Sequence, residues 1–112
     1  ILVSGDIYDR AVPPPDAIKL LDEMLHRLVT DVHCKIVIIA GNHDSPERLA
    51  FGSRIFASQG IHIYGTVEKE IPPLILEDNW GPVYFYPLPY TEPPKIKALF
   101  EDDSIRSHHG AF

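Results

Sequence analysis

The sequence predicts an α/β fold with a parallel first half and an antiparallel second half, on three observations. Two short apolar runs, residues 1–3 and 35–40, each precede a glycine turn, which is typical of buried strands. One amphipathic helix lies between them, and a helical crossover makes the two strands parallel. After Gly65 the chain changes to short apolar runs separated by turn residues and prolines. A length of 112 residues suits one small domain, so we expect residues 1–112 to form a single domain.

The first half has the elements of two strand–turn–helix units. A helix is predicted from about residue 16 to 28 or 29, because apolar side chains recur there at helical spacing: Ala17, Ile18, Leu21, Met24, Leu25 and Leu28. A second helix is predicted over residues 46–57, since Ser45 is a suitable N-cap and Pro46 suits the first helical position. Gly60 should end it, and residues 61–64 alternate like a short strand.

The second half should contain an antiparallel hairpin. Residues 71–76 and 83–86 are predicted strands on either side of an Asp-Asn-Trp-Gly turn at 78–81. Pro93 and Pro94 are expected to interrupt the structure, and residues 96–100 to form one helical turn. His108 and His109 follow an acidic run with no preceding strand, so we interpret them as a solvated helix start.

Composition narrows the class of protein. The hydrophobic content of 45% argues against disorder. The formal net charge of −6 is unfavourable for a nucleic-acid binder, although bound divalent cations would reverse the local sign. The single cysteine, Cys34, excludes an internal disulfide and is expected to be a buried small side chain. No apolar run is long enough for a membrane span and no signal peptide is visible, so a cytoplasmic location is expected.

Two turns follow the predicted parallel strands, and we name them the first turn (residues 4–10) and the second turn (residues 41–44). Five of their polar residues are candidates for a functional site: Asp6, Asp9, Arg10, Asn42 and His43. Parallel strands place both turns at one sheet edge, where ligands bind in open α/β folds. There Asp6 can bridge two cations and Asn42 can add an oxygen donor that suits manganese or magnesium. His43 is a candidate ligand or general acid, Asp9 a candidate to hold its ring, and Arg10 a candidate phosphate clamp. Such residues are the parts of a two-metal phosphoester hydrolase.

A structural role is the simpler interpretation for any one of these residues. An aspartate in a turn is most often part of an Asx-turn or a helix cap, and a lone arginine is usually in a surface ion pair. Gly-Asp-x-x-Asp-Arg followed by Gly-Asn-His-Asp, each after a predicted strand, is much more specific than either alone.

The two motifs resemble the second and third signature motifs of the calcineurin-like metallophosphoesterases. Within that superfamily, the chain resembles the nuclease subunit of bacterial SbcC–SbcD complexes. The supporting segments run through nearly the whole chain: residues 13–15, 42–49, 60–63 and 86–90. The fold this implies is a partial metallophosphoesterase sandwich of two sheets flanked by helices.

The resemblance implies a role for each candidate residue. Asp6 would bridge two divalent metal ions, usually manganese, and Asn42 would bind one of them. His43 would act on the scissile phosphate or its leaving group, with Asp9 orienting it, and Arg10 would contact the substrate phosphate. The implied reaction is hydrolysis of phosphodiesters at DNA ends and hairpins, in repair and recombination.

The resemblance also implies partners. An SbcC-like ATPase would gate the nuclease, and the family tends to form homodimers through helices that follow the two motifs. On this interpretation Ile18 and Ile55 are candidates for an interface between two copies.

Three family features are absent: the Asp-x-His of the first motif, the later metal-binding histidine and the closing Gly-His-x-His. The chain also opens with Ile1 inside a predicted strand and closes in what looks like a starting helix, so we expect a piece of a longer protein, truncated at both ends. Alone it should bind metal weakly and be inactive. Two alternatives to the nuclease remain open: a small-substrate phosphatase or cyclic-nucleotide phosphodiesterase of the same superfamily, and a non-catalytic α/β binding module.

Overall fold

The structure is a computed structural model that describes residues 1–112. It contains five strands and five helices, which follow one another along the chain as β1 (Leu2–Ser4), α1 (Pro15–Thr30), β2 (Ile36–Ile39), α2 (Pro46–Leu49), α3 (Ser53–Ala57), β3 (Ile61–Tyr64), β4 (Leu74–Asp78), β5 (Gly81–Phe85), α4 (Pro93–Phe100) and α5 (His108–Ala111). No helix combines the length and the apolar character needed to cross a membrane.

The first half forms a three-stranded parallel sheet in the order β1-β2-β3, which confirms the predicted parallel arrangement of the first two strands. In this register Leu2 lies opposite Val37, and Ile36 lies opposite Ile61. The central strand β2 is covered on both faces, because Ile36 and Val37 point to opposite sides and both are buried. A continuous run of β-branched residues suits such a position, since neither face of the strand meets water.

The core lies between this sheet and α1. Its buried members come from β2, its carboxyl end, α2 and β3: Ile36, Ile38, Ala40, Leu49 and Ile61. Leu25, Leu28 and Val29 of α1 pack against them. The apolar stripe predicted on α1 is therefore only partly a core face, because Ile18 is 48% exposed and Met24 is 42% exposed. The sheet is narrow, and α1 covers it with one line of side chains.

The helix predicted over residues 46–57 is wrong as a single element. Gly52 has a φ of +75°, which is not helical, and it separates α2 from α3. Leu49 of α2 reaches the core, and α3 packs along β3. Gly60 ends this region with a φ of +85°, which confirms its predicted role at a helix C-terminus.

The second half contains the predicted antiparallel hairpin, in which Leu74 pairs with Phe85 and Asp78 with Gly81. Strand β4 begins later than predicted because Pro72 and Pro73 have no N–H to donate to a ladder. At the tip, the Trp80 N–H donates to Oδ1 of Asp78 at 2.8 Å, as in an Asx-turn.

After the hairpin the chain returns to the parallel sheet. Pro87 and Pro89 are buried, and the Tyr90 N–H donates to the Ala40 carbonyl at 2.9 Å. Pro93 and Pro94 do not interrupt the structure as predicted: they begin α4, where the first amides have no helical partners and proline costs little. The segment therefore attaches the second half directly beside the second turn.

Candidate active site

The two turns touch at the carboxyl edge of the parallel sheet. The Gly5 N–H donates to the Ile39 carbonyl at 3.0 Å, and Gly5 and Asp6 both have positive φ, +80° and +49°. A Cβ on Gly41 would overlap the backbone nitrogen and Oδ1 of Asp6. Glycine at position 41 is thus required for the turns to approach so closely, which explains sterically why it precedes the Asn-His-Asp sequence.

Asp44 joins the turns. Its carboxylate is 6% exposed and accepts three backbone hydrogen bonds: from Gly41 at 2.8 Å, from Ile7 at 3.1 Å and from Tyr8 at 3.0 Å. The first is local, and the other two reach across to the first turn. Hydrogen bonds to a charged acceptor are stronger than neutral ones, so Asp44 holds Asp6 in register with Asn42 and His43.

Sequence reasoning assigned no role to Asp44, although it was part of the second motif. The available signal was an aspartate three residues after a turn glycine, which is well placed to accept that glycine's N–H. Its contacts with the first turn span 36 and 37 residues and have no local signature.

Asp6, Asn42 and His43 are brought together as predicted from the parallel connection. Oδ1 of Asp6 accepts a hydrogen bond from the His43 backbone N–H at 3.1 Å. All three residues are exposed to solvent. The contact joins the Asp6 carboxylate to the His43 backbone, and Asn42 lies beside His43 on the second turn.

Asp9 and Arg10 lie on the same turn but contact each other. An Arg10 Nη2 lies 3.6 Å from Oδ2 of Asp9, and the two side chains are 69% and 86% exposed. No hydrogen bond joins Asp9 to His43 in this structure, so the orienting role of Asp9 stays a prediction, as does phosphate binding by Arg10. Both residues line a cleft of about 540 Å³ between the first turn and α1, and Asp6 also lines it.

The donor set for a metal ion is incomplete within these residues. No group of three or more histidine, cysteine, aspartate or glutamate side chains converges anywhere in the chain. Asp6 and Asn42 supply two hard oxygen donors, fewer than a stable divalent-cation site normally has. The residues present therefore do not by themselves fit two metal ions, and the weak metal binding expected from the sequence stays a prediction.

Tyr8 belongs to the first turn, and its side chain packs against the core. Burial, and to a smaller extent the negative charge of Asp44, raises the pKa of Tyr8 above its usual value of 10.0.

A second cleft, of about 240 Å³, opens on the other side of the second turn. Gly41, Asn42 and Asp44 of the second turn form one wall together with Pro46, and residues after β3 and after the hairpin form the remainder. The second turn is consequently accessible from two sides.

A family model described as calcineurin-like phosphoesterase matches residues 1–110. The match includes both turns, the parallel sheet, the hairpin and the helices that follow it.

Proposed function

This chain belongs to the calcineurin-like phosphoesterase family, and from that premise we propose that it is part of an SbcD-like DNA exonuclease and endonuclease. The family identifies a metal-dependent phosphoester hydrolase in general. The observation that supports the proposal is that Asp44 joins the two turns, because the exposed residues Asp6, Asn42 and His43 lie on those turns. The resemblance of residues 13–15, 42–49 and 86–90 to SbcD supports the nuclease branch.

On this proposal His43 acts on the scissile phosphate or protonates the leaving oxygen; its side chain is exposed, and its backbone N–H contacts Asp6. Asp6 and Asn42 would contribute oxygen donors to a two-ion centre, for which manganese is the proposed metal. Two donors cannot hold two ions, so the proposal requires further ligands besides these two. Asp9 is proposed to orient His43, which requires it to exchange its contact with Arg10.

A small-substrate phosphoesterase is the second candidate, and the charge favours it. The net charge is −6. Arg10, the one arginine or lysine on the two turns, is paired with Asp9. DNA binding normally relies on unpaired basic side chains that contact phosphates.

The two candidates are separated by assaying the longest natural protein that contains these residues. Manganese-dependent hydrolysis of linear double-stranded DNA is measured beside hydrolysis of a phosphomonoester. His43→Ala is the test variant, and His26→Ala, on the exposed surface of α1, is the matched control. DNA cleavage that His43→Ala removes and His26→Ala retains is the expected result. Monoester turnover without DNA cleavage would favour the second candidate, and no activity on either would favour a non-catalytic binding module.

An SbcC-like ATPase partner and a homodimer are proposed from the same resemblance. Ile18 is 48% exposed and Ile55 is 73% exposed, so both side chains are accessible to a second copy of the chain. Light scattering of the wild type and an Ile18→Glu/Ile55→Glu variant tests the dimer. A wild type that remains monomeric at high concentration would contradict it.

A further inference from the structure

The cleft of about 240 Å³ beside the second turn, which we name the Asn42 cleft, has no role in the function proposed so far. Asn42 lies at one end of it. Its other walls carry polar and aromatic side chains together, among them Thr66, Tyr90, Glu92 and Lys95. A phosphoester held at Asn42 would extend one of its substituents into this cleft.

The wall that carries Tyr90 is held firmly in place. The Tyr90 N–H donates to the carbonyl of Ala40, two residues before Asn42, at 2.9 Å. The flanking residues are buried: Pro89 has under 2% of its surface exposed and Thr91 has 5%. The Thr91 hydroxyl donates to the Pro89 carbonyl at 3.4 Å. Tyr90 is therefore at a set position relative to Asn42, because the backbone that carries it is part of the sheet edge.

The Tyr90 side chain is also oriented. Its hydroxyl lies 3.0 Å from Nε2 of His108, and the two ring centroids are 5.6 Å apart with an angle of 33° between the planes. His108 does not line the Asn42 cleft. It contacts Tyr90 from α5, so the aromatic wall of the cleft is held by a helix that follows 18 residues later.

The charges of the cleft favour an uncharged group over a second phosphate. Lys95 is its one cationic side chain, and Nζ of Lys95 lies 3.8 Å from a carboxylate oxygen of Glu47. Two carboxylates also line it: Asp44, which is buried and bonded to backbone N–H groups, and Glu92, which is exposed and can accept a hydrogen bond from a ligand. Apolar surface from Val67 and Leu99 completes the lining. A planar ring with hydrogen-bonding edges matches this combination of an aromatic wall, apolar surface, donor and acceptor.

We infer that the Asn42 cleft binds the nucleoside next to the scissile phosphate, with its base against Tyr90 and its polar edge towards Lys95 and Glu92. The volume suits one ring-sized group, because it is smaller than the roughly 300–1,000 Å³ of sites for drug-sized ligands. His108 is a positioning residue that acts through Tyr90. This inference rests on the proposed function and specifies which part of the substrate the second turn selects.

The test is binding of a thymidine dinucleotide to the ¹⁵N-labelled 112-residue chain without added metal, followed by NMR. Inorganic phosphate and thymidine are titrated separately. Saturable shifts at Thr66, Val67 and Tyr90 with the dinucleotide and thymidine are expected. Phosphate alone should not shift Thr66 or Val67. Shifts that are the same with phosphate alone would overturn the inference.

Variants separate stacking from simple packing. Tyr90→Leu keeps apolar bulk but removes the ring and should weaken dinucleotide binding by about tenfold, since stacking on an aromatic side chain contributes on that scale. Tyr90→Phe keeps the ring and should bind within about threefold of the wild type, and Tyr84→Leu, at an exposed hairpin tyrosine, is the control. Equal binding by Tyr90→Leu and the wild type, with a native amide spectrum in both, would overturn the inference.

The binding assay tests the Asn42 cleft and the DNA assay tests the nuclease, so a negative result in one does not decide the other. Dinucleotide binding that depends on Tyr90, in a protein that does not cleave DNA, would support the cleft and reject the nuclease. DNA cleavage with a KM that Tyr90→Leu leaves unchanged would support the nuclease and reject the cleft. His108→Ala should raise that KM less than Tyr90→Leu does and leave kcat unchanged, and an effect on kcat alone would reject its positioning role.

Discussion

The parallel sheet and the hairpin are built from similar apolar residues but are stabilised differently. In the sheet, β2 is buried on both faces, and one buried carboxylate at its carboxyl edge joins the two turns through two hydrogen bonds and accepts a third within its own turn. In the hairpin, β4 and β5 contact mainly each other, and much of their apolar surface is open. Ile75 is 52% exposed, Tyr84 is 54% exposed, and Trp80 at the tip is 96% exposed.

The difference shows which region positions the candidate site. A site needs a scaffold that does not open locally, and the free energy of local opening rises with buried apolar contacts and shielded hydrogen bonds. The sheet and its two turns have both, whereas the hairpin depends largely on its own ladder. We therefore expect substitutions in the sheet to change both stability and the site, and substitutions in the hairpin to change neither strongly.

The largest expected effect is that of truncating the core. Ile38→Ala removes a side chain that is 1% exposed and should lower the free energy of unfolding by about 3–4 kcal/mol. Ile75→Ala, in the hairpin, should lower it by less than about 1 kcal/mol, because half of its surface is already in water. Urea denaturation of both variants measures the difference. Equal losses of unfolding free energy would contradict the proposed difference between the sheet and the hairpin.

Removing the carboxylate that joins the turns should have the next largest effect. Asp44→Ala leaves the N–H groups of Gly41, Ile7 and Tyr8 without their acceptor and should cost about 3 kcal/mol of unfolding free energy. Asp22→Ala, at an exposed position of α1, should cost less than about 0.5 kcal/mol. Denaturation gives the energies, and amide NMR shifts at residues 6–8 report whether the turns separate. A loss below about 1 kcal/mol would mean that the turns are held by other contacts.

Adding a Cβ at Gly41 of the second turn or at Gly81 of the hairpin distinguishes the effect of a steric clash from that of backbone strain. Gly41→Ala should cost about 2–3 kcal/mol, because the added carbon would overlap Asp6 and force the two turns apart. Gly81→Ala, at φ +126° in the hairpin, meets no atom within 4 Å, so only backbone strain of about 1 kcal/mol is expected. Thermal unfolding ranks the two variants, and a Gly81→Ala that is the more damaging would reverse the comparison.

The smallest effect is a pH dependence that belongs to the sheet, since the hairpin contains no histidine. Burial, and to a smaller extent the charge of Lys35, lowers the pKa of His62 on β3 below its usual 6.5. The unfolded chain therefore binds the proton more readily, so this contribution to stability is complete above pH 6.5 and is lost as pH falls from there towards the folded pKa.

His62→Asn should accordingly lose less stability than the wild type between pH 7.5 and 5.5. His26→Asn, at an exposed position of α1, is the control and should keep the wild-type dependence. Denaturant midpoints at the two pH values provide the measurement. An unchanged dependence in His62→Asn would assign the titration to other groups.

Much of the fold could be predicted because its signals are local. Both strands before the turns, α1, β3 and the hairpin were predicted from apolar spacing and turn residues, and all are present. The wrong predictions concern two segments whose local sequence pattern is compatible with two different structures. The start signals at Ser45 and Pro46 suited one long helix as well as a short one, and the helix breaks at Gly52. Pro93-Pro94 suited a helix start as well as a break.

The candidate site was predicted in part for the same reason. The meeting of Asp6 with His43 follows from two parallel strands, whose carboxyl ends share an edge. The partners of Asp9 and Asp44 did not follow from this parallel arrangement. Asp9 pairs with its neighbour Arg10, and Asp44 binds backbone groups that no side-chain pattern identifies.

The sequence by itself determined the order of strands and helices, the glycine turns and the residue types at the sheet edge, because these depend on periodicity and on backbone conformations available to single residues. The tertiary structure alone decided that Asp44 would join the turns and that Tyr90 would line a cleft beside Asn42. Those contacts span tens of residues, and they form only after the parallel sheet has brought its carboxyl ends together and the segment after the hairpin has bonded to Ala40.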